Sequence, residues 1–156
     1  MTSKDKLSKM DGAAADLCVI ENEDEFSEND IEAPAGALFN ITDQKTLYSK
    51  NANDEREIAS ITKIMTALLA MKYADLSQEV TISYTPEGLE SSAVLCGFEQ
   101  GDKMMLSSLL SAALIYSGND AAIDIAIAVA GSQEAFVDMM NQESKELMTS
   151  HTHFAN

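Results

Sequence analysis

The chain has 156 residues, 46% of them hydrophobic, which suits one globular domain with a tail rather than two domains. Its 26 acidic residues against 10 basic ones give a formal charge of −16, with Arg56 as the single arginine. A surface this acidic excludes nucleic acid as the expected partner, because a phosphate backbone needs a basic face.

In chain order, residues 1–33 form an acidic segment with few aromatics. Its run Glu21-Asn22-Glu23-Asp24-Glu25, continued by Glu28, Asp30 and Glu32, is expected to be solvated and disordered. An acidic docking arm is the alternative use of such a run. The first residues contain lysines, but the run 13–20 is short and interrupted by Asp16, so no signal-peptide core is visible. Pro34 and Gly36 introduce two expected strands, about 37–41 and 46–50, joined by a turn at 42–45.

A helix is expected from Ser60 to about Tyr73, with Ile61, Ile64, Met65, Leu68 and Leu69 as its core-facing stripe. Between Glu79 and Met105 the pattern breaks into short strands and turns, punctuated by Pro86, Gly88, Gly97 and Gly101. Three further helices are expected at about 106–116, 120–130 and 132–148, with Gly131 ending one and Ser132 capping the next. The first carries the stripe Leu106, Leu109, Leu110, Ala113, Leu114; the last buries Phe136, Met139, Met140 and Leu147, its methionines serving as core filler. The alternation at His151 and His153 suits the start of a strand, and with no third ligand nearby no metal site is expected. Cys18 and Cys96 are either two free thiols or a disulfide pair.

Two short motifs bear on chemistry. Ser60-Ile61-Thr62-Lys63 opens the first helix, and Ser117-Gly118-Asn119 stands at the junction of two apolar helices. A serine at a helix start sits among unpaired backbone N–H groups and the positive end of the helix dipole, which favour the negative charge of a tetrahedral intermediate. Three residues on, Lys63 lies about one turn away on the same face, close enough to take the hydroxyl proton if its apolar surroundings lower its pKa. Alone, each motif is weak. Ser-x-x-Lys recurs at Ser3 to Lys6, and Ser-x-Asn at Ser27 to Asn29 and Ser49 to Asn51. These copies lie in a charged tail or at a strand end, without the periodic helices that flank Ser60 and Ser117.

From Ala35 onward the segments AGALFNITDQKTLYSKN, ASITKIMTALLAMKYA, GDKMMLSSLLSAALIYSGNDAA, AGSQEAFVDMMNQESKELM and THFAN follow in an order that closely resembles the low-molecular-mass D-alanyl-D-alanine carboxypeptidases, penicillin-binding proteins of the serine S11 peptidase family. The family commonly has Pro where Ile58 stands and a Gly between Leu147 and Met148; neither departure touches a reacting group. The resemblance implies an α+β fold, with residues 34–156 as the N-terminal portion of a β-lactamase/transpeptidase-like domain: a helical cluster plus a β-hairpin, without the C-terminal sheet strands. It implies Ser60 as nucleophile, Lys63 as base, Ser117 as proton relay and Asn119 as the substrate-binding residue, with no cofactor. Peptidoglycan stem peptides and β-lactams become the expected partners, outside the cytoplasmic membrane.

The family's third element, a Lys-Thr-Gly strand, supplies a carboxylate contact and one oxyanion-hole N–H, and it does not occur before Asn156. Residues 1–156 alone are therefore expected to show little activity. A truncated, catalytically incomplete module that completes its sheet with a second chain or a second copy is the alternative reading. A class A β-lactamase is disfavoured, since the nearest match to its deacylation loop, Glu143 to Leu147, sits within a helix pattern.

Overall fold

A computed structural model describes residues 31–83, 89, 91–149 and 151–155, so the acidic segment up to residue 30 and Cys18 lie outside the described residues. Two compact units divide after Glu57. The first contains strands β1 (Gly36–Asn40) and β2 (Lys45–Lys50), paired antiparallel with an irregularity between Leu38 and Phe39. Asn40 shapes the turn: its Oδ1 accepts from Thr42 N at 3.0 Å and Asp43 N at 3.1 Å, an arrangement that short polar side chains make with the backbone just ahead of them. Gln44 completes the reversal at φ 51°.

The second unit is helical. A 3-10 turn, Ala59–Ile61, leads into α1 (Thr62–Tyr73). Short strands β3 (Glu79–Thr81) and β4 (Lys103–Met105) pair antiparallel, and α2 (Leu106–Ile115), α3 (Asn119–Ala130) and α4 (Gln133–Glu146) follow. The β3–β4 pair joins segments more than 20 residues apart, a pairing that no local pattern discloses. It also starts α2, because the carbonyls of Gln78 and Leu76 accept from Leu106 N at 2.9 Å and Ser107 N at 3.0 Å and so satisfy two of the helix's orphan donors without a side-chain cap. Gly131 takes the left-handed conformation at φ 84°, which lacks a steric penalty only in glycine, and closes α3; Ser132 Oγ accepts from Ala135 N at 3.1 Å and opens α4.

Two buried clusters share α1. One gathers Ala67 and Ala70 with Ile82, Leu106, Leu109, Leu110, Ala113, Ala121 and Ile125; the other packs Leu69 against Ala126, Phe136, Met140 and Phe154. Each fully buried leucine stabilises the fold by about 1.5–3 kcal/mol relative to exposure. Alanines on α1, α2 and α3 supply no bulk, so they let the helix backbones approach closely. Lys72 on α1 meets Glu143 on α4 at 2.6 Å with both side chains largely buried, joining the two helices by a charge pair. Among the described residues no helix is long and apolar enough to cross a membrane.

Three expectations need correction. Ile61 and Ile64 are 61% and 64% exposed, and α1 instead buries Lys63, Thr66, Ala67, Leu69 and Ala70. Apolar spacing leaves the helix's rotation undetermined to within about a residue, and the alanine contacts choose the face that carries Lys63. Leu114 and Met148 are also exposed, whereas Met140 is buried and Met139 packs partly buried against the second cluster, as core filler should. Residues 151–155 form no strand. Asn141 instead holds that segment, accepting from Phe154 N at 2.9 Å and donating to Phe154 O at 2.8 Å, which places the Phe154 ring in the second cluster.

Candidate active site

The chain reaches Ser60 through a constrained backbone. Ala59 sits at φ 45° and Ser117 at φ 61°, both left-handed non-glycine positions of the kind that concentrate at working sites. The 3-10 turn presents Ser60 at the surface one turn ahead of Lys63, whose residue is only 7% exposed. Between α2 and α3, Ser117 and Gly118 turn the chain so that Asn119 begins α3.

All four residues meet. Ser117 Oγ donates to Ser60 Oγ at 2.7 Å, and Lys63 Nζ lies 3.4 Å from each of these oxygens and 2.9 Å from Asn119 Oδ1. Burial pushes the Lys63 amine below the ordinary lysine value, opposed by a smaller pull upward from the Cys96 thiol. A lysine with a lowered pKa spends more of its time as a free amine, the form that can accept a proton. The cluster is thus a hydroxyl in contact with a second hydroxyl and a desolvated amine, the grouping required to generate an alkoxide-like nucleophile.

Comparison with known proteins gives the grouping its context. Residues 22–156 match the D-alanyl-D-alanine carboxypeptidase family. The chain belongs to that family. A D-alanyl-D-alanine carboxypeptidase of Bacillus subtilis, DacF, is 37% identical over 130 residues, covering 80% of this chain and 33% of its own length. Among solved structures, a serine-to-alanine mutant of the Streptomyces K15 DD-transpeptidase superposes with TM-score 0.75 at 29% identity, over 81% of this chain and 52% of that one. Penicillin-binding protein D2 of Listeria monocytogenes, in its cefotaxime-bound form, superposes with TM-score 0.69 at 25% identity, over 86% and 54%. The architecture is accordingly an N-terminal α+β portion of the penicillin-binding/transpeptidase fold. The chain spans about a third of the length of the curated relatives it matches.

For this carboxypeptidase family member, sequence reasoning missed the loop that closes the cluster from a third side. Val94 O accepts from Asn119 N at 2.8 Å and from Asn119 Nδ2 at 3.3 Å. Beside it Cys96, half-buried and forming no disulfide among the described residues, packs its Sγ so close to Gly118 that a Cβ there would lie 2.4 Å away. Burial pushes the Cys96 thiol up, helped by the Asp120 carboxylate and opposed by Lys63. Such a thiol is poor as a nucleophile and acts as packing. One signal was available in the sequence: Asp120 and Asp124 are two carboxylates one turn apart in a helix whose other residues after Asn119 are all apolar, although neither spacing nor motif discloses their partners.

Proposed function

We propose that the protein is a serine-type D-Ala-D-Ala carboxypeptidase acting through an acyl-enzyme on Ser60. The carrying observation is the contact of buried Lys63 Nζ with the oxygens of Ser60, Ser117 and Asn119. Ser60 Oγ attacks the carbonyl between two D-alanines of a peptidoglycan stem peptide while its proton passes to the neutral Lys63 amine, directly or through Ser117. The C–N bond breaks as Ser117 Oγ delivers a proton to the departing D-alanine nitrogen, and that hydroxyl is reprotonated from Lys63. Water then hydrolyses the ester and restores Ser60. Asn119 accepts from Lys63 Nζ through its Oδ1 and, in this reading, donates to substrate through its Nδ2.

A β-lactam presents the same amide geometry and would acylate Ser60, in keeping with the cefotaxime-bound Listeria relative. Peptidoglycan as substrate places the reaction outside the cytoplasmic membrane. The contact to the substrate's terminal carboxylate would come from a segment outside the described residues, supplied by the same chain, a complementing chain or a second copy. The two sheets described are each two-stranded, a size that is marginal without further strands or a packing partner.

Mass spectrometry after exposure to labelled penicillin tests the reading. The adduct is expected on the peptide containing Ser60, and an adduct of equal yield in Ser60→Ala would overturn it.

A further inference from the structure

Asp120 is 2% exposed, and its carboxylate faces backbone N–H groups. Oδ1 accepts from Cys96 N at 3.0 Å and from Ala121 N at 2.9 Å; Oδ2 accepts from Cys96 N at 2.8 Å and from Gly97 N at 3.0 Å. Two of these donors belong to the loop that carries Val94, and Val94 O accepts from the Asn119 backbone N and from its side-chain Nδ2. With its Nδ2 held on that carbonyl, the Asn119 side-chain amide has one orientation left, with Oδ1 toward Lys63 Nζ at 2.9 Å. An amide rotated the other way would set its NH₂ against the Lys63 amine and its oxygen against the Val94 carbonyl.

We infer that Asp120 is a positioning residue for the Ser60 reaction: by pinning Cys96 and Gly97 it fixes the Val94 carbonyl, which fixes the Asn119 amide and with it the Lys63 amine. It touches no reacting atom. The inference rests on the proposed acylation of Ser60. It adds a residue that neither motif contains.

A carboxylate is needed for this arrangement, because donors converge on both of its oxygens. In Asp120→Asn one of those oxygens becomes an NH₂ that confronts a backbone N–H, so the 94–97 loop must move. Asp124→Asn serves as the control: Asp124 lies one turn further along the same helix, is 0% exposed, and its Oδ1 accepts from Ser83 N at 2.8 Å, away from the Lys63 cluster.

The test combines amide hydrogen exchange with acylation by a fluorescent penicillin, in the full protein at a temperature where thermal melts show each variant folded. In Asp120→Asn the amides of Cys96, Gly97 and Asn119 should exchange about tenfold faster or more, while those within α4 keep wild-type rates. Acylation should slow by about 10²-fold, the scale of an ångström's misplacement of a reacting group. Asp124→Asn should lower the melting temperature and leave the acylation rate of folded protein near wild type. Adding Asp120→Asn to Asn119→Ala should slow acylation little beyond Asn119→Ala alone, since both act through one amide.

If Asp120→Asn does not fold, Asp120→Ser keeps one acceptor in a smaller volume and carries the same comparisons. Retained protection at Asn119, or strictly additive effects of the two substitutions, would overturn the inference. A wild-type protein that takes no penicillin would instead refute the proposed function, and the exchange rates would still decide whether Asp120 holds the loop.

Discussion

Replacing Lys63 by Met separates its chemical role from its structural one. The unbranched thioether fills nearly the same volume and cannot accept the Ser60 proton. Loss of a general base slows a reaction by roughly 10²–10⁴-fold, or about 3–5 kcal/mol of transition-state stabilisation. The cost to folding should be smaller. Of the three contacts made by Nζ, two are at 3.4 Å, near the outer limit of a hydrogen bond, and one at 2.9 Å to Asn119 is good. Losing one charged hydrogen bond costs about 1.5–3 kcal/mol. Removing a desolvated cation offsets part of that, leaving a net change of about 1–2 kcal/mol, or a melting shift of only a few degrees.

The offset also has a pH signature. Lys63 is lowered in the folded state relative to 10.5, so in the window between its folded value and 10.5 the unfolded chain binds more protons than the folded one. Wild-type stability should therefore rise with pH through that window relative to Lys63→Met, and the penalty should be fully present below it. The assays are stopped-flow acylation by a fluorescent penicillin and thermal melts from pH 7 to 10.5. A Lys63→Met variant that acylates within tenfold of wild type, or a melting difference independent of pH, would refute the reasoning.

The same lowered pKa predicts that the acylation rate climbs with pH on a limb whose midpoint lies below the ordinary lysine value of 10.5; a midpoint at or above 10.5 would remove Lys63 as the base. Gly118→Ala puts a methyl 2.4 Å from Cys96 Sγ, so it should destabilise by about 1–3 kcal/mol and slow acylation, and Cys96→Ala should recover part of both losses. Equal effects with and without Cys96 would show that the clash lies elsewhere. Glu143→Ala leaves the partly buried Lys72 with only its longer, 3.4 Å contact to Glu146 and should cost about 1–3 kcal/mol, lowering the melting temperature while acylation of the folded protein is unchanged. Because the Lys72 pKa is raised, chiefly by its hydrogen bond to Glu143, the pair's contribution should persist up to the unfolded value of 10.5 and fade at higher pH as Lys72 deprotonates, which melts across that range would reveal.

Periodicity and punctuation alone located the helices over 106–116, 120–130 and 132–148 to within a few residues, because a 3.6-residue apolar repeat bounded by Gly131 and Ser132 is a local property of the chain. The residues of the two short motifs were legible for a similar reason: a helix start and a helix junction are where a serine can be held at the surface, and family order separated them from their decoys. Tertiary packing decided the rest. Ile61 and Ile64 fit the apolar stripe yet face outward, since α1 rotates to bring Ala67 and Ala70 against its neighbours and Lys63 beneath Ser117 and Asn119. The segment begun by His151 and His153, whose alternation suits a strand start, is irregular instead, and the Asn141 side chain takes both backbone groups of its Phe154. Asp120 and Cys96 stand 24 positions apart, and nothing in their local sequence announces that they meet. Hydrogen bonds across such separations depend on how the helices close on one another, so the sequence named the candidate site residues and only the folded chain showed that they meet, with the Val94 carbonyl against Asn119.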